Sequence, residues 1–509
     1  MEKYTSPSTL AYIKSTSTDG SAKVEELAFQ LRKDKKNLML LSKRVFVPIS
    51  EKGSFEYIEI EKPPAINPNV DDFSFFSQAK EYLLQSHTED EKHDVIQYVL
   101  KSKLFGCIDI NAKQLMDSGY LALMLQLCIS PYLKIAYKTL WSINNMLAAK
   151  DGDKLGKYCV ENEIVQKAIW HINYSEKPFK SLSFWVLANI AGGSPDERQA
   201  LFEANIEKVI IPFLNNTTIH SSLLERIAFL ISNLCMNKPL PKYDSISVYF
   251  PYLIALLNSS IQEVKKDILT AIGNITNSNE KTYYIKFVTK EVITRLLEFF
   301  YIEDTVIVAH AVRIIGDISA DSNEQQMNLL LDCGLIEAMR HILLIKENID
   351  LKREACWLVS NLAAENSTII ALLIESEIID IIIKECKENV HVIQRECVFA
   401  LLNLFYYPHK EQFIKFISDE TIDLICKYLS ANMNDEHIVK NTIESTVHIV
   451  RNARLWGLQV EAYAKLDSSG LADILEALLK NYQSMPDKIS SLIEEIDSLK
   501  LSADMQMEN

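Results

Sequence analysis

Glycine and proline are scarce, at 13 and 14 residues in a chain of 509. So thin a supply of turn residues excludes a collagen-like chain and argues against an all-β fold, which leaves long helices with short connections. The nine cysteines (Cys107, Cys128, Cys159, Cys235, Cys333, Cys356, Cys386, Cys397 and Cys426) include no C-x-x-C pair. Most sit in apolar helical runs, where a free thiol behaves as a small hydrophobe, and a reducing compartment is expected. Uninterrupted apolar stretches are lacking too. The most membrane-like, Ile369 to Ile383, is broken by Glu375, Glu377 and Asp380, so two packed helices with a turn are expected rather than a membrane span. The first twenty residues are polar, and no signal peptide is expected. Positive charge is in deficit, the formal net charge being −15. That balance favours basic partners over nucleic acid or membrane insertion. No G-x-x-x-x-G-K-[ST], H-E-x-x-H or G-x-S-x-G motif occurs, and the ten histidines form no ligand-spaced group. Neither an enzyme, nor a metal, nor a cofactor is therefore expected.

What the chain does have is a period. Tryptophan followed four residues later by asparagine occurs at Trp141/Asn145, Trp185/Asn189 and Trp357/Asn361. Stepping 41 to 44 residues from one pair to the next also reaches Phe229/Asn233, Thr270/Asn274, Arg313/Asp317 and Phe399/Asn403. The surrounding text repeats as well: WVLANIAG, FLISNLCMN, AIGNIT, RIIGDIS, WLVSNLAA, FALLNLF. This is the length of a two- or three-helix solenoid unit of the armadillo or HEAT kind. Apolar residues at helical spacing, such as Leu330, Ile336 and Met339, cannot be buried by one unit alone and require stacked neighbours. Pro63, Pro64 and Pro68 mark a linker, so the repeats are expected over 72–496, after an N-terminal region 1–71 and before a loose tail 497–509.

Residues i and i+4 share a helix face, so the pairs would form two parallel rows along one side of the array. Asparagine offers one acceptor and two donors to an extended backbone. Spaced indoles leave slots for the stems of lysine or arginine, with the cation near the ring faces.

On these motifs the chain resembles the importin alpha family, over nearly its whole length. The resemblance implies an all-α, right-handed superhelical armadillo solenoid of about ten repeats. It also implies an adaptor that binds nuclear-localisation-signal peptides of cargo and passes them to importin beta, with a nuclear export receptor for recycling and shuttling between cytoplasm and nucleus. The segment Phe29 to Phe46, FQLRKDKKNLMLLSKRVF, resembles part of the family's importin-beta-binding helix, here about 24–47. Arg32, Lys33, Lys35, Lys36, Lys43 and Arg44 would carry that contact, although the family's upstream run of arginines is missing. Cargo-binding residues implied in the N-terminal groove are Trp141, Asn145, Trp185, Asn189, Phe229 and Asn233. In the C-terminal groove they are Arg313, Glu354, Trp357, Asn361, Glu396, Phe399 and Asn403.

The residue three before each anchor should also face the groove. Along the chain these are Lys138, Leu182, Arg226, Asp267, His310, Glu354 and Glu396. The family's N-I-A-G-D reads Asn189-Ile190-Ala191-Gly192-Gly193 here, without its carboxylate. Cargo is therefore expected mainly at the C-terminal site. The alternative is an armadillo scaffold for other extended peptides, no longer a transport adaptor. Reading Glu354 and Glu396 as paired general acids is disfavoured, since packed repeats hold them roughly 10 Å apart.

Overall fold

The computed structural model describes residues 66–85, 87–104, 111–148, 152–236, 239–277, 287–320, 322–345, 348–481 and 486–507. The importin-beta-binding-like segment 24–47, with Arg32, Lys33, Lys35, Lys36, Lys43 and Arg44, lies outside them. Among the described residues every regular element is helical, as expected. No described helix is long and apolar enough to cross a membrane. Ile369 to Ile383 divides into the helices Ser367–Glu375 and Ile378–Glu388 with a turn between them.

The long helices that carry the ladder positions are α1 (Leu133–Leu147), α2 (Lys177–Ala191), α3 (Ser221–Leu234), α4 (Gln262–Thr276), α5 (Thr305–Ala320), α6 (Ile349–Ala363), α7 (His391–Asn403) and α8 (Glu436–Trp456). Most are preceded by two shorter helices, giving three per repeat, as in Pro195–Glu203 and Ile206–Leu214 before α3. The logic of α6 is typical. Asn348 caps it by accepting from Leu351 N at 2.9 Å. Leu351, Ala355, Leu358, Val359 and Leu362 recur at helical spacing and are all buried. Each such leucine or valine contributes about 1.5–3 kcal/mol by leaving water.

The sharp corner between the two short helices needs a left-handed residue. Gly119 (φ 73°) and Gly334 (φ 89°) supply it without cost, whereas Glu163 (φ 66°) and Glu377 (φ 61°) do so against their Cβ.

The described residues fall into two compact units, 66–287 and 288–507. In the N-terminal unit α1, α2, α3 and α4 pack in sequence; in the C-terminal unit α5, α6, α7 and α8 do the same. A loose tail was expected over 497–509. The last helix, Pro486–Met507, continues well past residue 496.

His171 ties one repeat to the one before. Its ring is buried and stacks on Phe179 at 4.7 Å, Nε2 donates to the Cys128 carbonyl at 2.8 Å, and Nδ1 lies 2.9 Å from Ser175 Oγ. Burial lowers its pKa, and the carbonyl bond opposes that only in part. The unfolded chain therefore takes up the proton first as pH falls. The stabilisation is complete above the unfolded value of about 6.5 and is lost as pH drops through and below it. Urea midpoints should fall between pH 7.5 and 5, and His171→Gln should fall less steeply. His448, lowered by burial and then by Arg451, retains a share of the effect in that variant. Identical slopes in the two chains would contradict the assignment.

Candidate peptide-binding site

Four ladder asparagines are positioned by the repeat before them. Asn189 Nδ2 donates to the Asn144 carbonyl at 3.3 Å and to Asn144 Oδ1 at 3.0 Å. Asn233 Nδ2 reaches the Ala188 carbonyl at 2.7 Å, Asn361 Nδ2 the Gly316 carbonyl at 3.3 Å, and Asn403 Nδ2 the Ser360 carbonyl at 2.8 Å. In every case the acceptor lies three residues after the previous anchor. A helical carbonyl has a second lone pair, and the amide uses it. The rows therefore hold the repeats in register as well as facing a ligand, a role the sequence reading did not assign. At Asn361, half-buried, one N–H is committed in this way, and one N–H and the oxygen remain, a donor–acceptor pair matching a single residue of an extended strand. Asn403, also half-buried, donates to Ser360 Oγ at 3.1 Å as well, so its oxygen is the group left for a ligand. The row also continues beyond the last predicted pair: Ser445 Oγ donates to the Leu402 carbonyl at 3.0 Å.

The two units differ at the same register positions. In the N-terminal unit Trp141, Trp185, Phe229, Asn145, Asn189 and Asn233 are all buried, the two indoles being only 1% and 5% exposed. Spaced, open slots were expected along the ladder. The rings of Trp185 and Phe229 are 6.0 Å apart between centroids. The unit's own cations cover the rings as well. Lys138 Nζ lies 4.5 Å from the Trp141 ring centre, and the Arg226 guanidinium 3.5 Å from that of Trp185.

In the C-terminal unit Trp357, Asn361, Phe399 and Asn403 are half-buried and reach the surface. Trp357 presses the Cζ3 edge of its ring against Gly316 of α5. A Cβ added to Gly316 would meet its Cζ3 at 2.1 Å, so only glycine admits the ring there. Arg313 stands on α5 where other repeats carry the aromatic ring. Of the expected carboxylates, Glu354 is buried and paired with Arg353 at 2.8 Å, whereas Glu396 is half-buried with Arg395 at 3.9 Å. Arg395 also pairs with Asp435 at 3.2 Å and lies 4.9 Å from the Phe399 ring centre. The acidic rail is thus partly neutralised from within, which the sequence reading missed.

Net charge nevertheless separates the units. Residues 72–287 carry 22 basic and 22 acidic side chains, and residues 288–509 carry 20 basic and 36 acidic. Local fields follow suit. Burial alone would lower the Arg353 pKa, yet the hydrogen bond and charge of Glu354, with Asp350 and Glu396, raise it above its ordinary value. Burial acts likewise on Arg395, and Asp435 and Glu396 outweigh it. For Arg226 burial prevails over Glu225 and Asp267 and carries the pKa down to about 10. Neighbouring carboxylates thus prevail at Arg353 and Arg395, and burial prevails at Arg226.

The carboxylate expected at residue 193 is replaced in place. Any Cβ on Gly193 would lie 1.8 Å from Glu197 Oε2, so Glu197 fills that space. Buried, it accepts from Ser194 N at 2.7 Å in a capping box. The S-P-x-E run starting at Ser194 was the available signal. Among the described residues no group of three or more His, Cys, Asp or Glu could hold a metal ion.

Comparison with known proteins places this geometry. The repeat family described as Armadillo/beta-catenin-like repeat matches residues 322–364. The chain is similar to importin subunit alpha-8 of Arabidopsis thaliana, at 24% identity over 229 residues, 45% of this chain and 49% of that protein. Importin subunit alpha-1b of Oryza sativa subsp. japonica is 23% identical over 229 residues, 44% and 41% of the two chains. Probable importin subunit alpha-A of Dictyostelium discoideum is 22% identical over 326 residues, 58% and 57% of the two chains. The chain thus spans about half the length of the curated relatives it matches. Among solved structures, a crystal structure of an engineered protein matches with a TM-score of 0.68 at 17% identity, over 84% of this chain and 99% of that one. The fold is the expected all-α armadillo-repeat fold, and the resemblance read from the motifs is to the same relatives.

Proposed function

We propose that this chain, a divergent relative of the importin alpha subunits, is a nuclear-import adaptor that holds the basic localisation signal of a cargo protein along the C-terminal ladder. Residues 29–46 would present Arg32, Lys33, Lys35, Lys36, Lys43 and Arg44 to importin beta. The adaptor would shuttle between cytoplasm and nucleus, returning with an export receptor. The observation that carries the cargo-site reading is the pairing of half-exposed Trp357, Asn361, Phe399 and Asn403 with the carboxylates Glu354 and Glu396 in the strongly acidic unit. An extended peptide's backbone meets the two amides, its lysine or arginine stems lie against the rings, and the cations sit in the negative field. Arg313 replaces a ring at the start of this ladder and would confine the basic residues to the stretch from α6 onward.

The test is fluorescence anisotropy of a labelled lysine- and arginine-rich peptide with the full chain. Glu396→Gln should weaken binding about tenfold, because one charge-assisted contact contributes about 1.5–3 kcal/mol. Glu354→Gln should weaken it less, its charge being shared with Arg353. Unchanged affinity and unchanged salt dependence in both variants would sink the cargo-site assignment. Capture of importin beta by segment 24–47 separates a transport adaptor from a scaffold for other peptides.

A further inference from the structure

We propose that Arg226 is a built-in occupant of the cation slot on the N-terminal ladder, and that it sets which basic segments this chain refuses. Glu396 lies three residues before Phe399, the anchor that follows Trp357. Arg226 lies three residues before Phe229, the anchor that follows Trp185. The same position of the repeat therefore carries a carboxylate in the C-terminal unit and a guanidinium in the N-terminal one. The charge reversal alone would repel a lysine; the contact goes further. At 3.5 Å from the ring centre the guanidinium is in full van der Waals contact with Trp185, in the place an incoming cation would have to take.

The surroundings are those of a cation site already filled. Trp185 bounds it on one side, and the Phe229 ring centre lies 6.0 Å from that of Trp185. Asp267, buried on α4, and Glu225 supply the negative charge that partly compensates the arginine. The Asn233 amide oxygen and Arg226 Nε are both buried and without a partner. The neighbouring ring is covered in the same way by Lys138 at 4.5 Å. The N-terminal unit thus keeps the recognition chemistry of a basic-peptide site while providing the bound cations from its own sequence. Cargo with one basic cluster would then be held at the C-terminal ladder only, and a second cluster would gain nothing from the N-terminal one. The inference deepens the cargo-site reading above and rests on it for the chemistry of the slot.

The experiment uses the full chain carrying Gly316→Ala, which displaces Trp357, titrated with the same labelled lysine- and arginine-rich peptide. Adding Arg226→Ala, or Arg226→Gln to keep packing volume, should raise affinity at least tenfold. A further Asp267→Asn should remove most of the gain. Thermal melts identify any variant that fails to fold. If both folded Arg226 variants bind no better than their parent, the inference is overturned. Comparing Gly316→Ala with the unaltered chain judges the C-terminal site separately, so the two ideas can fail independently.

Discussion

Gly316→Ala should lower the affinity of the chain for a basic peptide about a hundredfold while leaving the fold standing. The added methyl would lie 2.1 Å from Trp357 Cζ3, 2.8 Å from Cη2 and 2.9 Å from Cε3. Helix α5 cannot retreat, since its backbone is fixed by its own hydrogen bonds, so the indole must swing away from it. The ring is a wall of the ladder, and the Asn361 bond to the Gly316 carbonyl is anchored at the same residue. Losing a desolvated ring–cation contact costs about 2 kcal/mol or more, and the misplaced amide brings the total near the ~2.7 kcal/mol of two decades in affinity. Stability should change little. Alanine in mid-helix gains about 1 kcal/mol over glycine, which offsets part of the packing lost by a half-buried ring. Anisotropy and calorimetry read the two quantities separately. Unaltered affinity with an unaltered melt would mean that Trp357 takes no part in binding.

The largest loss of stability is expected at Glu385. Lys352 Nζ lies 2.9 Å from Glu385 Oε1 and 2.8 Å from Oε2, with the two side chains only 8% and 11% exposed. The pair pins α6 to the middle helix of the following repeat, Ile378–Glu388, and Asn389 donates to the same carboxylate. Glu385→Ala strands a buried ammonium and should cost about 3–5 kcal/mol. Lys352→Met combined with Glu385→Leu removes both charges and should return to within about 1 kcal/mol of the original stability or exceed it. Urea unfolding of the two single variants and the double variant gives the coupling between them. Additive losses would show that the charges are solvated rather than dependent on each other. Because Lys352 shares α6 with Trp357 and Asn361, the double variant should also retain peptide binding.

The eight described cysteines are free, and all but Cys333 are buried. Burial raises Cys128, Cys386 and Cys426 to about 11, a response of structural thiols rather than reactive ones. Cys356 and Cys397, 3.7 Å apart on α6 and α7, pack as small apolar groups between consecutive repeats.

The sequence by itself determined the helices, the repeat length and the register of Trp185, Asn189, Trp357 and Asn361. These follow from local periodicity: residues four apart share a face whatever surrounds them. The caps at Ser194, Asn323 and Asn366, which were not read from the sequence, are local in the same sense, since each closes on a donor within three residues. Tertiary structure alone decided which ladder side chains are open and which are covered. Whether Arg226 points to solvent or lies on Trp185, whether Asn233 spends its amide on Ala188, and whether Glu197 fills the space over Gly193 all depend on how closely neighbouring helices approach. That approach is fixed by the packing of many side chains between repeats. No spacing of letters encodes it, so a regular motif could be read as a row of open slots where one unit has already filled them.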